Sequence, residues 1–291
     1  MNEDVLREPT LVLSGTGKTG SRLVRRLTRM DVPVRVGSRA AGLPFDWEQP
    51  ETWGPALDGI RAVYVAYQPD LAVPGAPEAI GELTAQAVRR GVRQLVLLSG
   101  RGEPEAQQCE RILADACDKA KVDWTVLRCS WFSQNFSEGY LLGPVLDGEV
   151  ALPAGEVGEP FLDADDIADV AVAALTRDGH AGQVYELTGP RLLTFAEAVA
   201  EIAKATGREI RYRHVSLDDY AAAAAGQGVP ADAVEAITHL FSEVLDGRNA
   251  HLADGVARTL GRQPRDFTSY ARRTADSGLW GTPAPAGEQA R

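Results

Sequence analysis

Three glycines near the amino terminus constrain what this chain can fold into more than any other feature. Gly15, Gly17 and Gly20 form the pattern G-x-G-x-x-G inside the segment SGTGKTG. The apolar run at residues 10–13 predicts a buried strand before the pattern, and residues 21–30 follow it with the apolar spacing of a helix. A second predicted strand, PVRVGSR, completes a strand–helix–strand unit of about 30 residues. In that setting the pattern predicts a turn that binds the pyrophosphate of a dinucleotide.

The same segment also contains Gly17-Lys18-Thr19, which resembles the end of a loop that binds nucleoside triphosphates. That loop requires a further glycine five residues before its Gly-Lys pair. Val12 occupies this position, inside the buried apolar run. The triphosphate alternative is therefore weak, and the dinucleotide interpretation is favoured.

The residues after the second strand indicate which dinucleotide is bound. An NAD site usually places an acidic residue about 20 positions after the glycine turn, where it binds the ribose 2′-hydroxyl. This chain has Gly37-Ser38-Arg39 there, with no carboxylate to repel a phosphate. Ser38 can donate a hydrogen bond, Arg39 offers a guanidinium suited to a 2′-phosphate, and Lys18 adds a charge in the turn. We therefore predict NADP(H) as the cofactor; the alternative is that Arg39 is only a solvated loop residue.

Strand and helix patterns alternate as far as about residue 188. This alternation predicts an α/β fold, a doubly wound parallel-sheet Rossmann domain over residues 1–188 with helices on both faces. Part of residues 130–160 is expected to contribute to the substrate pocket. Residues 189–278 predict a smaller, mostly helical lobe that covers the substrate, and residues 279–291 a disordered tail. The segment GLPFDW, at residues 42–47, is predicted as a short strand.

Composition narrows the range of partners. The formal net charge is −11 and the basic residues are spread along the chain, so nucleic-acid binding is not expected. No apolar run reaches the roughly 18 residues of a membrane span. Three cysteines suit a reducing compartment better than a disulfide framework, and the four histidines stand too far apart for a metal site. We expect a cytoplasmic monomer or homodimer that acts on a small molecule, without metal.

Several motifs, taken in order, resemble the NmrA-like branch of the atypical short-chain dehydrogenase/reductases. They are the glycine turn, LVLLSG, WTVLRCSWFSQNF, FLDADDIADVAVAALT and GQVYELTGPRLLTFAEAVAEIAKATGREIRY. The resemblance extends from about residue 10 to about residue 275, and the order and spacing of the last three motifs are its most specific part. It implies a Rossmann domain that binds NADP(H) in an extended pose, with a small carboxyl-terminal lobe.

The resemblance also implies site residues by motif position. The phosphates would be bound by Gly15, Thr16, Gly17, Lys18, Thr19 and Gly20, and the 2′-phosphate by Ser38 and Arg39. The rest of the cofactor would lie along Asp46 near the adenine, Ala66, Tyr67, Ser99 beside the nicotinamide ribose, and Cys129 and Ser130 at the nicotinamide. The substrate pocket would be lined by Trp131, Phe132 and Asn135. Structural alternatives are a core position for the two aromatic residues and a turn-capping role for Asp46.

The acid used by carbonyl reductases of this superfamily is missing. Those enzymes use Tyr-x-x-x-Lys, and no tyrosine of this chain has lysine four positions later. We therefore expect reduction of a quinone or another planar conjugated carbonyl compound, which needs positioning and electrostatics more than a strong acid. Asn135 is the candidate for polarising the acceptor oxygen, with Ser130 and Tyr67 as further catalytic candidates. The alternative is a non-catalytic, NADP(H)-binding redox sensor that acts through a protein partner.

Overall fold

A computed structural model of the protein describes residues 7–226 and 228–281. Contacts among these residues define two compact units that interleave along the chain. Unit 1 comprises residues 7–129, 164–187 and 253–263, and unit 2 comprises the described residues of 130–163, 188–252 and 264–281. The motifs suggested a single boundary near residue 188, whereas the chain leaves and re-enters unit 1 twice.

The strands lie in two parallel sheets, one in each unit. In chain order they are β1 (Thr10–Leu13), β2 (Val34–Gly37), β3 (Ala62–Val65), β4 (Gln94–Gly100), β5 (Asp123–Cys129), β6 (Glu149–Leu152), β7 (Gln183–Leu187) and β8 (Arg211–His214). Within the described residues, the sheet of unit 1 has the order β2-β1-β3-β4-β5-β7, and that of unit 2 pairs β6 with β8. The order of unit 1 reverses between β1 and β3, and a reversal of this kind opens a crevice at the carboxyl ends of parallel strands.

The helices follow the predicted alternation in unit 1. With bounds inside the described residues they are α1 (Lys18–Arg29), α2 (Trp53–Leu57), α3 (Ala76–Arg89), α4 (Pro104–Ala120), α5 (Asn135–Glu138), α6 (Leu142–Asp147), α7 (Ala164–Thr176), α8 (Phe195–Thr206), α9 (Leu217–Gly226), α10 (Ala231–Val244), α11 (Gly255–Leu260) and α12 (Phe267–Asp276). In unit 1, α3 packs on α4 and α1 packs on α7. Strands β1 and β3 are buried along their whole length, which explains their continuous apolar sequences.

Residues 42–47 form a loop, so the strand predicted there is wrong. The indole N–H of Trp53 donates to the carbonyl oxygen of Asp46 at 2.6 Å. The rings of Phe45 and Trp47 pack with that of Trp53 at centroid distances of 5.9 and 5.5 Å. The alternation of large and small residues in this segment therefore reflects aromatic packing on α2, not a strand in the sheet.

A late segment of the chain returns to unit 1. Helix α11 packs on α7 and β7, and its first residue, Gly255, lies so close to β7 that a Cβ atom there would be 2.3 Å from the carbonyl oxygen of Glu186. Arg262 then pairs with Asp166 at 2.6 Å and with Asp169 at 2.7 Å, both on α7. Residues 253–263, which the sequence assigned to the carboxyl-terminal lobe, thus complete the Rossmann unit.

Unit 2 has an aromatic core around its two-stranded sheet. The capping box predicted at the start of α8 is present, because Thr194 and Glu197 each accept a hydrogen bond from the other's backbone N–H. Trp280 is fully buried, and its indole N–H donates to the carbonyl oxygen of Phe136 at 2.9 Å. The predicted tail therefore cannot begin at residue 279; its residues 282–291 lie outside the described part of the chain.

The close contact of α1 with the turn before it generates a stability prediction. A Cβ atom on Gly20 would lie 2.2 Å from the carbonyl oxygen of Ser14. Gly20→Ala should therefore lower the free energy of unfolding by about 1–3 kcal/mol, the usual effect of overpacking. Urea denaturation followed by circular dichroism measures this change.

Gly81→Ala is the matched control, because Gly81 also lies in a helix, α3. Its added Cβ atom would meet only Ile112, at an ordinary contact distance of 3.4 Å. The control should raise the free energy of unfolding by about 0.5–1 kcal/mol, since glycine is a poor helix former. Equal stability of Gly20→Ala and the parent would show that the turn tolerates a side chain.

Candidate functional site

A cavity of 610 Å³ lies in unit 1 at the carboxyl ends of β1, β2 and β3. Its lining residues are Ser14, Thr16, Gly37, Ser38, Arg39, Ala40, Phe45, Asp46, Trp47, Glu48, Gln68 and Pro69. Four predicted site residues are therefore brought together here, namely Thr16, Ser38, Arg39 and Asp46. The carboxyl edge of the strands is where ligands bind in open α/β sheets, so this cavity is the candidate ligand site.

Backbone hydrogen bonds shape the glycine turn on one side of the cavity. The N–H of Gly17 donates to the carbonyl oxygen of Ser14 at 2.8 Å, and the N–H of Gly15 donates to that of Gly37 at 3.3 Å. Ser14 has a left-handed backbone with φ of 51°, which its hydroxyl supports by donating to the carbonyl oxygen of Ala66 at 2.9 Å. Gly17 precedes α1 without capping it through a side chain, so the helix presents its amino end to the turn.

The three glycines of the pattern have different structural roles. A Cβ atom on Gly15 would lie 2.9 Å from the carbonyl oxygen of Val12, and one on Gly20 would overlap Ser14. These two positions therefore need glycine for packing within the protein. At Gly17 the nearest atom would be the Ser14 oxygen at 3.2 Å, and the next would be 4.0 Å away, on the cavity-lining Gln68. Of the three glycines, Gly17 therefore has the most room for a side chain.

The end of β2 supplies the positive charge of the cavity. Arg39 is exposed, and it makes no hydrogen bond or ion pair with any residue that the structure describes. The backbone oxygen of Ser38 accepts hydrogen bonds from the N–H groups of Ala41 and Phe45, which fixes the loop that follows. The guanidinium of Arg39 is therefore available to an anionic ligand such as a phosphate group.

Asp46 caps a turn and also lies in the lining of the cavity. Its carboxylate accepts hydrogen bonds from the N–H of Glu48 at 3.1 Å and from the amide of Gln49 at 3.4 Å, so it caps a turn. It also lines the cavity, as Glu48 does. Asp46 and Glu48 therefore place two acidic side chains in the cavity lining. Among the described lining residues, Arg39 alone is basic.

Ala66 and Tyr67 follow β3, next to the cavity-lining pair Gln68 and Pro69. The carbonyl oxygen of Ala66 accepts from Ser14 and from the indole N–H of Trp47 at 3.3 Å. The half-buried ring of Tyr67 packs edge-on against Trp47 with centroids 4.7 Å apart. Burial, and to a smaller degree the thiol of Cys109, raises the pKa of the Tyr67 phenol, so it stays protonated at neutral pH.

Of the other predicted cofactor contacts in unit 1, none lines the cavity, and two are engaged elsewhere. The Ser99 hydroxyl donates to the carboxylate of Glu110 at 2.6 Å. Cys129 is buried with its thiol against the carbonyl oxygen of Leu127, and burial raises its pKa. Ser99 and Cys129 thus make their side-chain contacts within the protein, and Thr19 is buried.

A buried charge network joins β4, β5 and β7 to α4. Arg128 on β5 donates to both carboxylate oxygens of Glu110 on α4, and its other amino group donates to Glu186 on β7 at 3.0 Å. The nearly buried Arg101 lies 3.4 Å from the second oxygen of Glu186. Helix α4 therefore contributes the Glu110 carboxylate, which bonds it to the strands of the sheet.

The predicted catalytic and substrate residues from 130 onward belong to unit 2. The hydroxyl of Ser130 is buried and donates to the carbonyl oxygen of Pro160 at 2.9 Å. Trp131 is a core residue, packed against Phe195 at 5.4 Å, so the structural alternative applies to it and not the stacking role. Phe132 is half-buried and forms a bridge with Leu162.

Asn135 differs from these neighbours. It is the first residue of α5 and is partly exposed. Its side-chain amide forms no hydrogen bond with the residues described in the structure. Asn135 is therefore the predicted residue in this segment whose polar group remains available to a ligand.

The sequence missed part of the cavity lining. Phe45, Trp47, Gln68 and Pro69 carry no ligand-binding pattern of their own, and they reach the cavity only through the 42–47 loop and the segment after β3. Among the described residues no cluster of three or more histidine, cysteine or acidic side chains could hold a metal ion. In the same part of the chain, no helix combines the length and apolarity needed to span a membrane.

Comparisons with known proteins relate the whole chain to oxidoreductases. No family model matches it. The uncharacterized oxidoreductase YesF of Bacillus subtilis is 30% identical over 282 residues, which cover 94% of this chain and 97% of YesF. The NAD(P)H azoreductase of Xenophilus azovorans is 32% identical over 282 residues, which cover 91% of this chain and 97% of the azoreductase.

A solved structure confirms the predicted fold class. The NADPH-dependent quinone oxidoreductase QOR2 of Escherichia coli, in complex with NADPH, is similar with a TM-score of 0.73 at 21% identity, covering 91% of this chain and 99% of QOR2. At this identity the likeness concerns the fold alone. Because the first two proteins match over nearly their full length at 30% identity or more, this chain belongs to the oxidoreductase family that contains YesF and the azoreductase of Xenophilus azovorans.

Proposed function

We propose that this chain is an NADPH-dependent reductase of planar conjugated acceptors, of the NmrA-like branch. Quinones are the acceptors that the sequence favours, and azo compounds join them because the relative from Xenophilus azovorans is an NAD(P)H azoreductase. The observation that carries the proposal is the cavity beside the glycine turn, in which Arg39 is exposed and uses its charge on no described residue. The redox-sensor alternative finds no support in YesF or the azoreductase, since both are named as oxidoreductases.

The residues around the cavity fit the groups of NADPH. The amino end of α1 and the open space beside Gly17 suit a pyrophosphate, because helix amino termini attract anions through their free N–H groups. Arg39 and Ser38 suit the 2′-phosphate, and Asp46 is placed to accept hydrogen bonds from the adenosine end. When bound, NADPH supplies the hydride. Gly15, Thr16, Lys18, Thr19 and Gly20 complete the proposed phosphate site.

Selectivity for the 2′-phosphate tests the role of Arg39. Arg39→Gln should weaken NADPH binding by about 1.5–3 kcal/mol, the contribution of a hydrogen bond to a charged group. NADH lacks the phosphate, so its affinity should not change and serves as the internal control. Calorimetry with both cofactors measures the two effects. Equal affinity of the parent for NADPH and NADH would contradict the assignment.

Gly17 provides a test that separates binding from folding. Its φ of −79° is accessible to any residue, and an added Cβ atom would make one tight contact, 3.2 Å from the carbonyl oxygen of Ser14, with no other atom closer than 4.0 Å. Gly17→Val should therefore fold with a small loss of stability but raise the Kd for NADPH by more than about 100-fold, or roughly 2.8 kcal/mol. Binding followed by NADPH fluorescence, together with the thermal unfolding midpoint, measures both properties. Binding equal to the parent's would place the phosphates elsewhere.

Turnover tests the proposed reaction and the role of Asn135 together. The parent should consume NADPH with 2-methyl-1,4-naphthoquinone or with methyl red as the acceptor, and a heat-unfolded sample should not. Asn135→Ala should lower kcat by about 10²–10³-fold, or 2.7–4 kcal/mol, if its amide stabilises the developing anion. NADPH affinity should be unaffected.

Glu138→Gln, an exposed change in the same helix, is the control for Asn135→Ala. Full turnover of Asn135→Ala would remove Asn135 from the mechanism. A parent that binds NADPH but reduces neither acceptor would favour the regulator.

A further inference from the structure

The reduction proposed above consumes a proton, and the missing Tyr-x-x-x-Lys pair leaves its source open. We propose that the carboxyl group of Glu103 donates this proton, with Asp70 as the residue that positions it. The inference rests on the proposed function and names a catalytic residue for it. It is carried by the place of Glu103 in the sheet, by its burial and by its carboxyl partner.

Glu103 lies at the carboxyl edge of a central strand. Strand β4 ends at Gly100, and α4 begins at Pro104, so Glu103 is the last residue of the connection. It is 7% exposed. Its carboxyl group covers the end of the strand: a Cβ atom on Gly100 would lie 2.5 Å from one of the Glu103 oxygens and 2.6 Å from the other. The absence of a side chain at Gly100 therefore creates the space that the carboxyl group fills.

The side chain of Glu103 does not cap the helix that follows it. It is the N-cap residue of α4, where Ser, Asp or Asn side chains usually accept a hydrogen bond from the helix. The Glu103 side chain makes no such bond. Its carboxyl group instead forms a hydrogen bond with the carboxyl group of Asp70.

Asp70 directly follows, in the chain, two residues that line the candidate site. It follows Gln68 and Pro69, which line the 610 Å³ cavity, on the segment after β3. Strands β3 and β4 are neighbours in the sheet. The two carboxyl groups thus come from adjacent connections at the carboxyl edge, next to the strand reversal where ligands bind in this type of sheet.

The groups around Glu103 favour its protonated form. Burial is the largest influence and raises the pKa of Glu103 well above its ordinary range; Asp70 adds to the effect, followed by Glu105 and Glu110 on α4. A second carboxyl group beside the buried Glu103 disfavours ionisation of Glu103, and Asp70 is the exposed member of the pair. The basic side chains near these strand ends, Arg101 and Arg128, face Glu186, and Arg128 also pairs with Glu110.

The proton balance of the step is simple. Transfer of a hydride from NADPH to one end of the conjugated acceptor would reduce the acceptor and leave NADP⁺, and negative charge would develop on the oxygen or nitrogen at the other end. The O–H bond of Glu103 breaks as a new O–H or N–H bond forms on that atom. The Glu103 carboxylate then regains a proton from water, so one acceptor, one NADPH and one proton give one reduced acceptor and NADP⁺.

Kinetics at constant NADPH affinity test the donor. Glu103→Gln should lower kcat for 2-methyl-1,4-naphthoquinone or methyl red by at least about 100-fold, the lower range for a general acid, and leave the Kd for NADPH within about twofold of the parent's. Asp115→Asn, an exposed change farther along the same helix, is the control and should keep parent turnover. Glu103→Asp retains a carboxyl group and should be faster than Glu103→Gln.

The pH profile tests the role of Asp70. Parent kcat should fall on the alkaline side as Glu103 loses its proton. Asp70→Asn removes the neighbouring carboxylate, so this fall should move to lower pH, whereas loss of a merely structural contact would reduce kcat at every pH. An unmoved profile would overturn the positioning role.

Thermal unfolding tests the protonation without any cofactor. A carboxyl group whose pKa is raised in the folded state stabilises the protein fully below its unfolded pKa, and this contribution is lost as the pH rises through the folded pKa. The unfolding midpoint of the parent should therefore decline between pH 5 and pH 9 more than that of Glu103→Gln. Parallel declines would overturn the protonated Glu103.

The outcomes separate this inference from the proposed function. An active parent together with an equally active Glu103→Gln overturns the proton donor alone. A parent that binds NADPH but reduces neither acceptor overturns the proposed function, and the donor with it. An active parent, a slow Glu103→Gln, an unaffected Asp115→Asn and the shifted Asp70→Asn profile together support both.

Discussion

The backbone contact between the first turn of α1 and the end of β1 sets the geometry of the candidate site. Gly20 approaches the Ser14 carbonyl so closely that no Cβ atom fits between them. This contact packs the amino end of the helix against the turn. The free N–H groups of the helix therefore point towards the carboxyl edge of the sheet. At the end of β2, Gly37 packs against the side chain of Leu13, whose Cδ2 atom would lie 2.7 Å from an added Cβ atom. Both contacts lie beside the cavity, which Ser14 and Gly37 line.

The charge network around Arg128 has a comparable effect on the other half of the sheet. Glu110 is 5% exposed and receives both the Ser99 hydroxyl and the Arg128 guanidinium. Because removing one partner of a buried ion pair leaves an uncompensated charge, such pairs hold their elements firmly, at about 3–5 kcal/mol for the loss of a partner. The network joins the ends of β4, β5 and β7 to α4.

Patterns confined to a short stretch of sequence predicted the structure well. The glycine turn, the buried parallel strands and the Thr194 capping box depend on neighbours within a few residues, and each is present. The sequence failed where partners are distant. Trp280 is held by Phe136, the 42–47 loop by stacking on Trp53, and the carboxyl pair by two separate connections of the sheet. The spacing of apolar residues along the sequence does not indicate such pairings, because the side chains concerned resemble ordinary tail, strand and loop residues.

The return of residues 253–263 to unit 1 has a consequence for how the protein is made. Strand β7 leaves the ribosome well before α11, which packs on it, and before Arg262, which pairs with α7. At usual translation rates this separation amounts to on the order of ten seconds. During that interval the backbone of β7 near Glu186 lacks the helix that packs against it in the finished protein. Until residues 253–263 have emerged, chaperones would therefore meet an incomplete Rossmann unit whose edge strand, β7, is uncovered.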